Sequence, residues 1–145
     1  MAGITKDFFA AYHSAMFELL AEDAIEYNAK LGILIASRWI KGLKHPPSNA
    51  SEFKDSLGAF FNGQFKFADS AAMTFAADGT AAVQVEGCAI CPGNEILKKS
   101  GKSGYCPICH MVKFAAYKTI KMNIELTEIV RPGPVGECRL RYKTA

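Results

Sequence analysis

Two Cys-x-x-Cys pairs, Cys88/Cys91 and Cys106/Cys109, stand with fourteen residues between them. No other feature limits so strongly what this chain can fold into. Each pair can present two thiolates to one side of a tight turn, and two facing pairs make a tetrahedral sulfur site. Zinc favours such a site because it binds soft thiolate strongly and has no directional d-electron preference. The interval is one residue shorter than the usual double-knuckle spacing. Cys88, Cys91, Cys106 and Cys109 are therefore the expected metal ligands, with Cys138 in reserve.

Other chemistries accept the same residues. Four thiolates also hold an iron–sulfur cluster. Two pairs of buried or redox-active thiols need no metal, and a thioredoxin-like centre would need only one pair, at a helix start after a strand. Cys106 to His110 reads as Cys-x-x-Cys-His, the attachment motif of c-type haem. That chemistry requires export, whereas the first twenty residues carry charges at Lys6 and Asp7 and then helical spacing, with no signal-like core or cleavage site.

With 145 residues, half of them hydrophobic and a fifth charged, the sequence reads as a single domain, 1–145, able to bury a core. The apolar run Leu31–Ala36 is too short for a membrane span. Five cysteines, an odd number, argue against a disulfide framework and for the cytoplasm. A net charge of +3 with scattered lysines does not suggest nucleic acid.

Residues 1–63 read as a helical lead-in. Phe8, Ala11, Tyr12, Ala15, Leu19 and Leu20 recur at helical steps and predict one buried face; Ile25, Ala29, Ile33, Ala36 and Ile40 predict another. Leu34, Ile35 and Trp39 widen the second stripe. Gly42 and His45-Pro46-Pro47 end that helix, and a shorter one is expected over 51–62 with Ser51 as N-cap. The period then changes to two. Residues 73–77 and 80–86 predict strands around a type I′ turn at Asp78-Gly79, and 94–105 reads as a lysine-bearing loop. Helical spacing returns after Cys109, followed by a hairpin of 125–130 and 137–142 turning at Arg131 to Pro134. The expected fold class is α+β. N-terminal helices pack on a small antiparallel sheet of two hairpins that flank a long helix, with a Cys-rich metal knuckle.

The succession Glu86-Gly87-Cys88-x-x-Cys91, then Pro107-Ile108-Cys109-His110 opening a helix, then Glu128 and Gly136-Glu137-Cys138 resembles the 4-vinyl-reductase-like (hydrocarbon-binding) domain family over residues 70–143. The resemblance implies a mixed α/β fold around a pocket for a small apolar molecule, with a structural zinc beside it. In the family's phenol sensors the zinc takes a thiolate before the long helix, then a glutamate and two hairpin cysteines. Cys109, Glu128 and Cys138 match, but Arg131 stands where the hairpin's first cysteine belongs. Two ligand sets thus compete, and the two-knuckle set is favoured.

No Ser–His–Asp set, carboxylate dyad or nucleotide loop is legible, and a closed four-thiolate site leaves no position for water. The expected function is a zinc-binding module that binds or senses a small apolar ligand, with Trp39, Phe60, Phe61, Phe65, Phe67 and Met73 as candidate pocket walls. Catalysis is left open. The enzymatic alternative is an oxidoreductase or tetrapyrrole-related enzyme using an iron–sulfur centre. A third reading is an interaction protein whose helical half dimerises. The expected partners are a small apolar molecule and a second copy of the chain, with neither nucleic acid nor membrane.

Overall fold

The computed structural model describes residues 5–145; the first four residues of the N-terminal reading lie outside the described residues. Five α-helices and four strands follow the order α1 (Lys6–Leu20), α2 (Ala24–Lys41), α3 (Ala50–Ala59), β1 (Ser70–Phe75), β2 (Thr80–Glu86), α4 (Cys91–Lys99), α5 (Pro107–Ile120), β3 (Ile124–Val130) and β4 (Cys138–Thr144). The expected mixed α+β class holds: helices pack on a four-stranded antiparallel sheet.

Local chemistry explains the helix ends. Thr5 caps α1 by accepting the Phe8 N–H at 3.1 Å. Asn49, rather than the expected Ser51, caps α3 by accepting the Glu52 N–H at 2.9 Å, while Glu52 reaches back to Ser48 and Asn49. Beyond α3 the chain continues as a π-helical turn, Phe60–Phe65, and stops where Lys66 adopts a left-handed conformation (φ 42°).

The two hairpins join rather than standing apart. The strand order is β1-β2-β4-β3, so β2 pairs with β4, setting Val83 opposite Leu140 and Val85 opposite Cys138. The first turn differs from the expected two-residue type I′. Only Gly79 has positive φ (87°), Ala76 N–H reaches Thr80 O at 2.9 Å, and Asp78 accepts from Thr80. That is a three-residue loop whose last residue supplies the left-handed conformation.

The inner sheet face carries Ala71, Met73, Val83, Val85, Leu140 and Tyr142, all buried. Against it lies α5, whose Ile108, Met111, Val112, Ala115 and Ala116 are also buried, and α3 adds Phe53 and Leu57. Tyr142 donates its hydroxyl to Cys109 O at 3.1 Å, tying sheet to helix. Helix α2 packs on α5, and its buried residues are Ala24, Asn28, Gly32, Ala36 and Trp39. Gly32 is required there: a Cβ would stand 2.5 Å from Pro107 O and 2.8 Å from His110 Cβ.

Two expectations fail in an informative way. Residues expected as a loop form α4, opened by Pro92 in its first turn and anchored by buried Leu97. The stripe expected to bury α1 faces outward instead. Phe8, Ala11, Tyr12, Ala15 and Leu19 are exposed, and the buried face is Ala10, His13 and Ser14. The small Ala10 and Ser14 let α1 approach α4, where a Cβ on Gly93 would stand 2.7 Å from the His13 ring and 3.1 Å from Ala10 O. The choice of face is set by fit rather than by hydrophobicity.

Candidate functional site

The pairing of β2 with β4 brings all the cysteines into one region. Cys88 follows Gly87 (φ 66°) at the end of β2, and its N–H donates to Gly136 O at 2.8 Å, docking the β3–β4 connection on this segment. Its sulfur accepts the Ile90 N–H at 3.4 Å. Cys91 is the first residue of α4. Cys106 is the N-cap residue of α5, Cys109 lies in that helix's first turn, and Cys138 opens β4. Cys88, Cys91, Cys106 and Cys138 line one interior void of about 20 Å³, together with Phe67 and Arg131. A space of that size matches about one water molecule.

The thiols interact as two groups. Cys138 and Cys88 hydrogen-bond to the Cys91 sulfur and hold it well below the usual thiol range, with the Arg131 charge acting in the same direction. Cys88 and Cys138 are correspondingly pushed up, by that bond to Cys91 and by burial. Cys106 is raised by its hydrogen bond to Cys109 and by burial. The second cysteine of each pair lies in the first turn of a helix instead of closing a tight turn. Among the described residues, no group of three or more His, Cys, Asp or Glu side chains is arranged to hold a metal ion. The Cys-rich knuckle expected from the spacing is therefore not found as a ligand set. Glu128, matched by resemblance to a zinc ligand, is exposed on the sheet and pairs with Arg141 at 2.9 Å. Arg131, which stands where the family's first hairpin cysteine belongs, lines the void.

A polar hub supports the cluster from the helical side. Asn94 on α4 accepts from Tyr105 N–H at 3.0 Å, donates to Tyr105 O at 2.8 Å and meets His13 Nε2 at 2.8 Å. The His13 ring stacks on Tyr105 with centroids 3.9 Å apart. Burial lowers the His13 pKa despite these bonds, and the neutral imidazole donates from Nε2 to Asn94.

The six residues expected to wall a pocket separate. Phe61 and Met73 are fully buried. Phe67 sits at the cysteine void, edge-on to Phe61 at 5.0 Å. Trp39, Phe60 and Phe65 stack in sequence, at 5.3 and 4.9 Å, and border an open groove of about 590 Å³ that also holds Arg38 and Gln64.

The feature that residue spacing missed is on the outside. On α1, Phe8, Tyr12 and Leu19 are 59%, 55% and 81% exposed; on α2, Ile25 is 80% exposed, with Ile33 and Leu34 partly so. Next to Ile33, a groove of about 380 Å³ runs over His110, Lys113, Phe114, Tyr117 and Asn123. The signal was present in the sequence: apolar residues occupy more of the α1 circumference than one buried face needs.

No protein-family model matches the chain, and no curated protein sequence matches it. Its fold does have a solved counterpart. The chain is similar to the crystal structure of a trafficking protein particle complex subunit 3 from Naegleria fowleri covalently bound to palmitic acid, with a TM-score of 0.57 over 97% of this chain and 95% of that one. The likeness is one of fold. Identity is 14%.

This finding corrects the 4-vinyl-reductase-like resemblance, since the architecture matched is that of the trafficking subunit. The zinc-dependent sensing module for a small apolar ligand falls with it, as does the oxidoreductase or tetrapyrrole alternative. The zinc, metal-binding and hydrocarbon-binding descriptions that went with them are corrected as well. Among the described residues, no helix is long and apolar enough to cross a membrane.

Proposed function

We propose that this chain is an assembly subunit, a protein that works by packing its helical layer against another folded chain. The observation that carries the reading is the outward-facing apolar stripe of α1 and α2. Large apolar side chains on two successive helices, exposed by between 39% and 81%, are what an interface core offers before its partner arrives. The fold likeness to a subunit of a trafficking particle supports the same reading, because that protein is by name one component of a complex.

The occupant we assign is a second copy of this chain. The two ends of α2 differ in charge: Glu26 lies in its first turn, after Glu22 and Asp23 in the turn that precedes it, and Arg38 and Lys41 lie in its last turn, while Lys30 between them pairs with Glu26 at 2.8 Å. Two copies of α2 running antiparallel about a two-fold axis would set each acidic end, with Ile25, beside the other's basic end, flanking a centre of Ile33 and Leu34. Such an isologous contact closes on itself and yields a dimer. Multi-angle light scattering across a concentration series tests it. A mass near twice the 15.8 kDa of one chain supports the proposal. A monomer throughout the series refutes it, and recovery of α1 or α2 in contact only with a different protein refutes the choice of occupant.

A further inference from the structure

Helix α1 breaks from α2 at a place where no residue calls for a turn. The junction Leu20-Ala21-Glu22-Asp23 contains neither glycine nor proline, and alanine, leucine and glutamate are strong helix formers. Ala21 nevertheless sits at φ 48°, ψ −120°. Among the described residues, the other non-glycine positions with positive φ are Lys66 and Lys121, and both lie in the left-handed helical well, at ψ 49° and 28°. Ala21 lies outside that well, so its backbone is strained. No capping side chain supports the turn, since Asp23 makes no cap hydrogen bond at the start of α2.

The residue pattern runs straight through the break. Ala10 and Ser14 are buried and Phe17 half-buried on α1; Ala24 and Asn28 are buried on α2. In an unbroken helix these five, at steps of four, three, seven and four residues, would share one face. The exposed Phe8, Tyr12, Leu19 and Ile33 would share the opposite one. Local preference and residue pattern thus agree on one helix from Lys6 to Lys41, about 54 Å long, where the single chain has two. Helix α1 is also set apart from the main core. Among the described residues, Phe9 alone of α1 packs against that core. The polar anchors of α1 lie on α4 and the segment after it: His13 Nε2 meets Asn94 at 2.8 Å, the Tyr105 hydroxyl donates to His13 O at 2.9 Å, and Lys102 pairs with Glu18 at 3.0 Å. Releasing α1 leaves the sheet, α5 and α2 packed as before, but bares its small-residue face and the matching face of α4 at Gly93.

We propose that two copies of this chain exchange α1: Ala21 relaxes into helical conformation, α1 and α2 join into one helix, and each α1 packs on the α4 of the other copy. Short hinges under strain favour such exchanges. Every α1–α4 contact is remade by the same residues, with His13 of one copy meeting Asn94 of the other. The gain is the released strain at Ala21 and the hydrogen bonds of an unbroken helix, set against the entropy of pairing two chains. The exchange rests on the reading that the partner is a second copy. It uses the inward face of α1, whereas the contact assigned above uses the outward stripe, so the two do not compete for a surface.

The test uses the full chain in ordinary and isotope-labelled form, mixed, unfolded, refolded at high concentration and separated by size. A carbodiimide joins a carboxylate to an amine in direct contact, so it should couple Glu18 to Lys102, and mass spectrometry of the joined peptides reads which chains they came from. The monomer should give the coupling within one chain, and the dimer should give light–heavy hybrids. Ala21→Gly, which accepts positive φ and weakens a helix interior, should lower the exchanged share by about fivefold for each hinge. The wild-type measurement stands without that variant. A dimer whose coupled peptides are all light–light or heavy–heavy would overturn the exchange and leave the pairing of two copies in place. Protein that stays monomeric would overturn both. Absence of the Glu18–Lys102 coupling from monomer and dimer alike would overturn the α1–α4 packing on which the exchange depends.

Discussion

Replacing Gly32 with alanine adds one methyl group at the closest approach of α2 to α5. The added Cβ would stand 2.5 Å from Pro107 O, 2.8 Å from His110 Cβ and 2.9 Å from Met111 N. Two of these atoms are backbone and the third is fixed to it, so no side-chain rotation relieves the contact. The helices must separate by several tenths of an ångström, which loosens the packing around Ala36 and Met111. Overpacking of this kind costs about 1–3 kcal/mol, and close contact with two backbone atoms and a Cβ of α5 places this site near the top of that range. Alanine in a helix interior returns about 1 kcal/mol relative to glycine. The net expectation is a loss of about 2 kcal/mol, which lowers the melting temperature by roughly 5–8 °C for a chain of this size. Gly58 in α3 is the matched control: nothing lies within 4 Å of its added Cβ, so Gly58→Ala should gain about 0.5–1 kcal/mol. Denaturant titrations of both variants read the two signs directly. A Gly32→Ala protein as stable as wild type, or stabilised like Gly58→Ala, would refute the packing of α2 on α5.

Asn94→Ala should cost about 2–4 kcal/mol in chemical denaturation, because it strips partners from a buried histidine and from both backbone groups of Tyr105; a loss within error of zero would show that the hub is dispensable. His13 gives a pH dependence with a definite sign. Burial lowers its pKa below the ordinary value of 6.5, so the unfolded chain binds the proton more readily. Its contribution is therefore complete above about pH 6.5 and is lost as the pH falls through the depressed native value. Melting temperature should decline from pH 7 to pH 5, and His13→Gln should flatten that decline; an unchanged slope in the variant would assign the acid sensitivity elsewhere.

The parts legible in the sequence were those in which pattern and chemistry agree. The alternation of Val83 and Val85, the helix opened by Pro107, and the terminal hairpin all follow from period and turn residues. Helix α4 was hidden because Leu97 and Gly93 are its only fully buried residues, too few to set a period amid lysines. The face of α1 was misread for a different reason: hydrophobic spacing finds an apolar stripe but does not say whether a small-residue face packs better, and Ala10 and Ser14 allow the closer approach to α4. The cysteine spacing was real information about proximity, since four of the five thiols do line one void. It was silent on geometry. Each pair's second cysteine lies in the first turn of a helix, and Cys138 arrives through a strand pairing, β2 with β4, that spans more than fifty residues of sequence.

The reading of this chain as an assembly subunit stands or falls on what covers Leu19 and Ile25. Fully burying one such side chain contributes about 1.5–3 kcal/mol, and both are about four-fifths exposed in the single chain. A two-fold contact buries each twice, so Leu19→Glu combined with Ile25→Glu removes roughly 6 kcal/mol, about four orders of magnitude in dissociation constant. Sedimentation equilibrium on the wild type and this double variant is the direct measurement. The account predicts a wild-type dimer, and a double variant that is monomeric at the same concentrations with its helical circular dichroism intact. A wild type that stays monomeric, or a double variant that sediments as the wild type does, would contradict it.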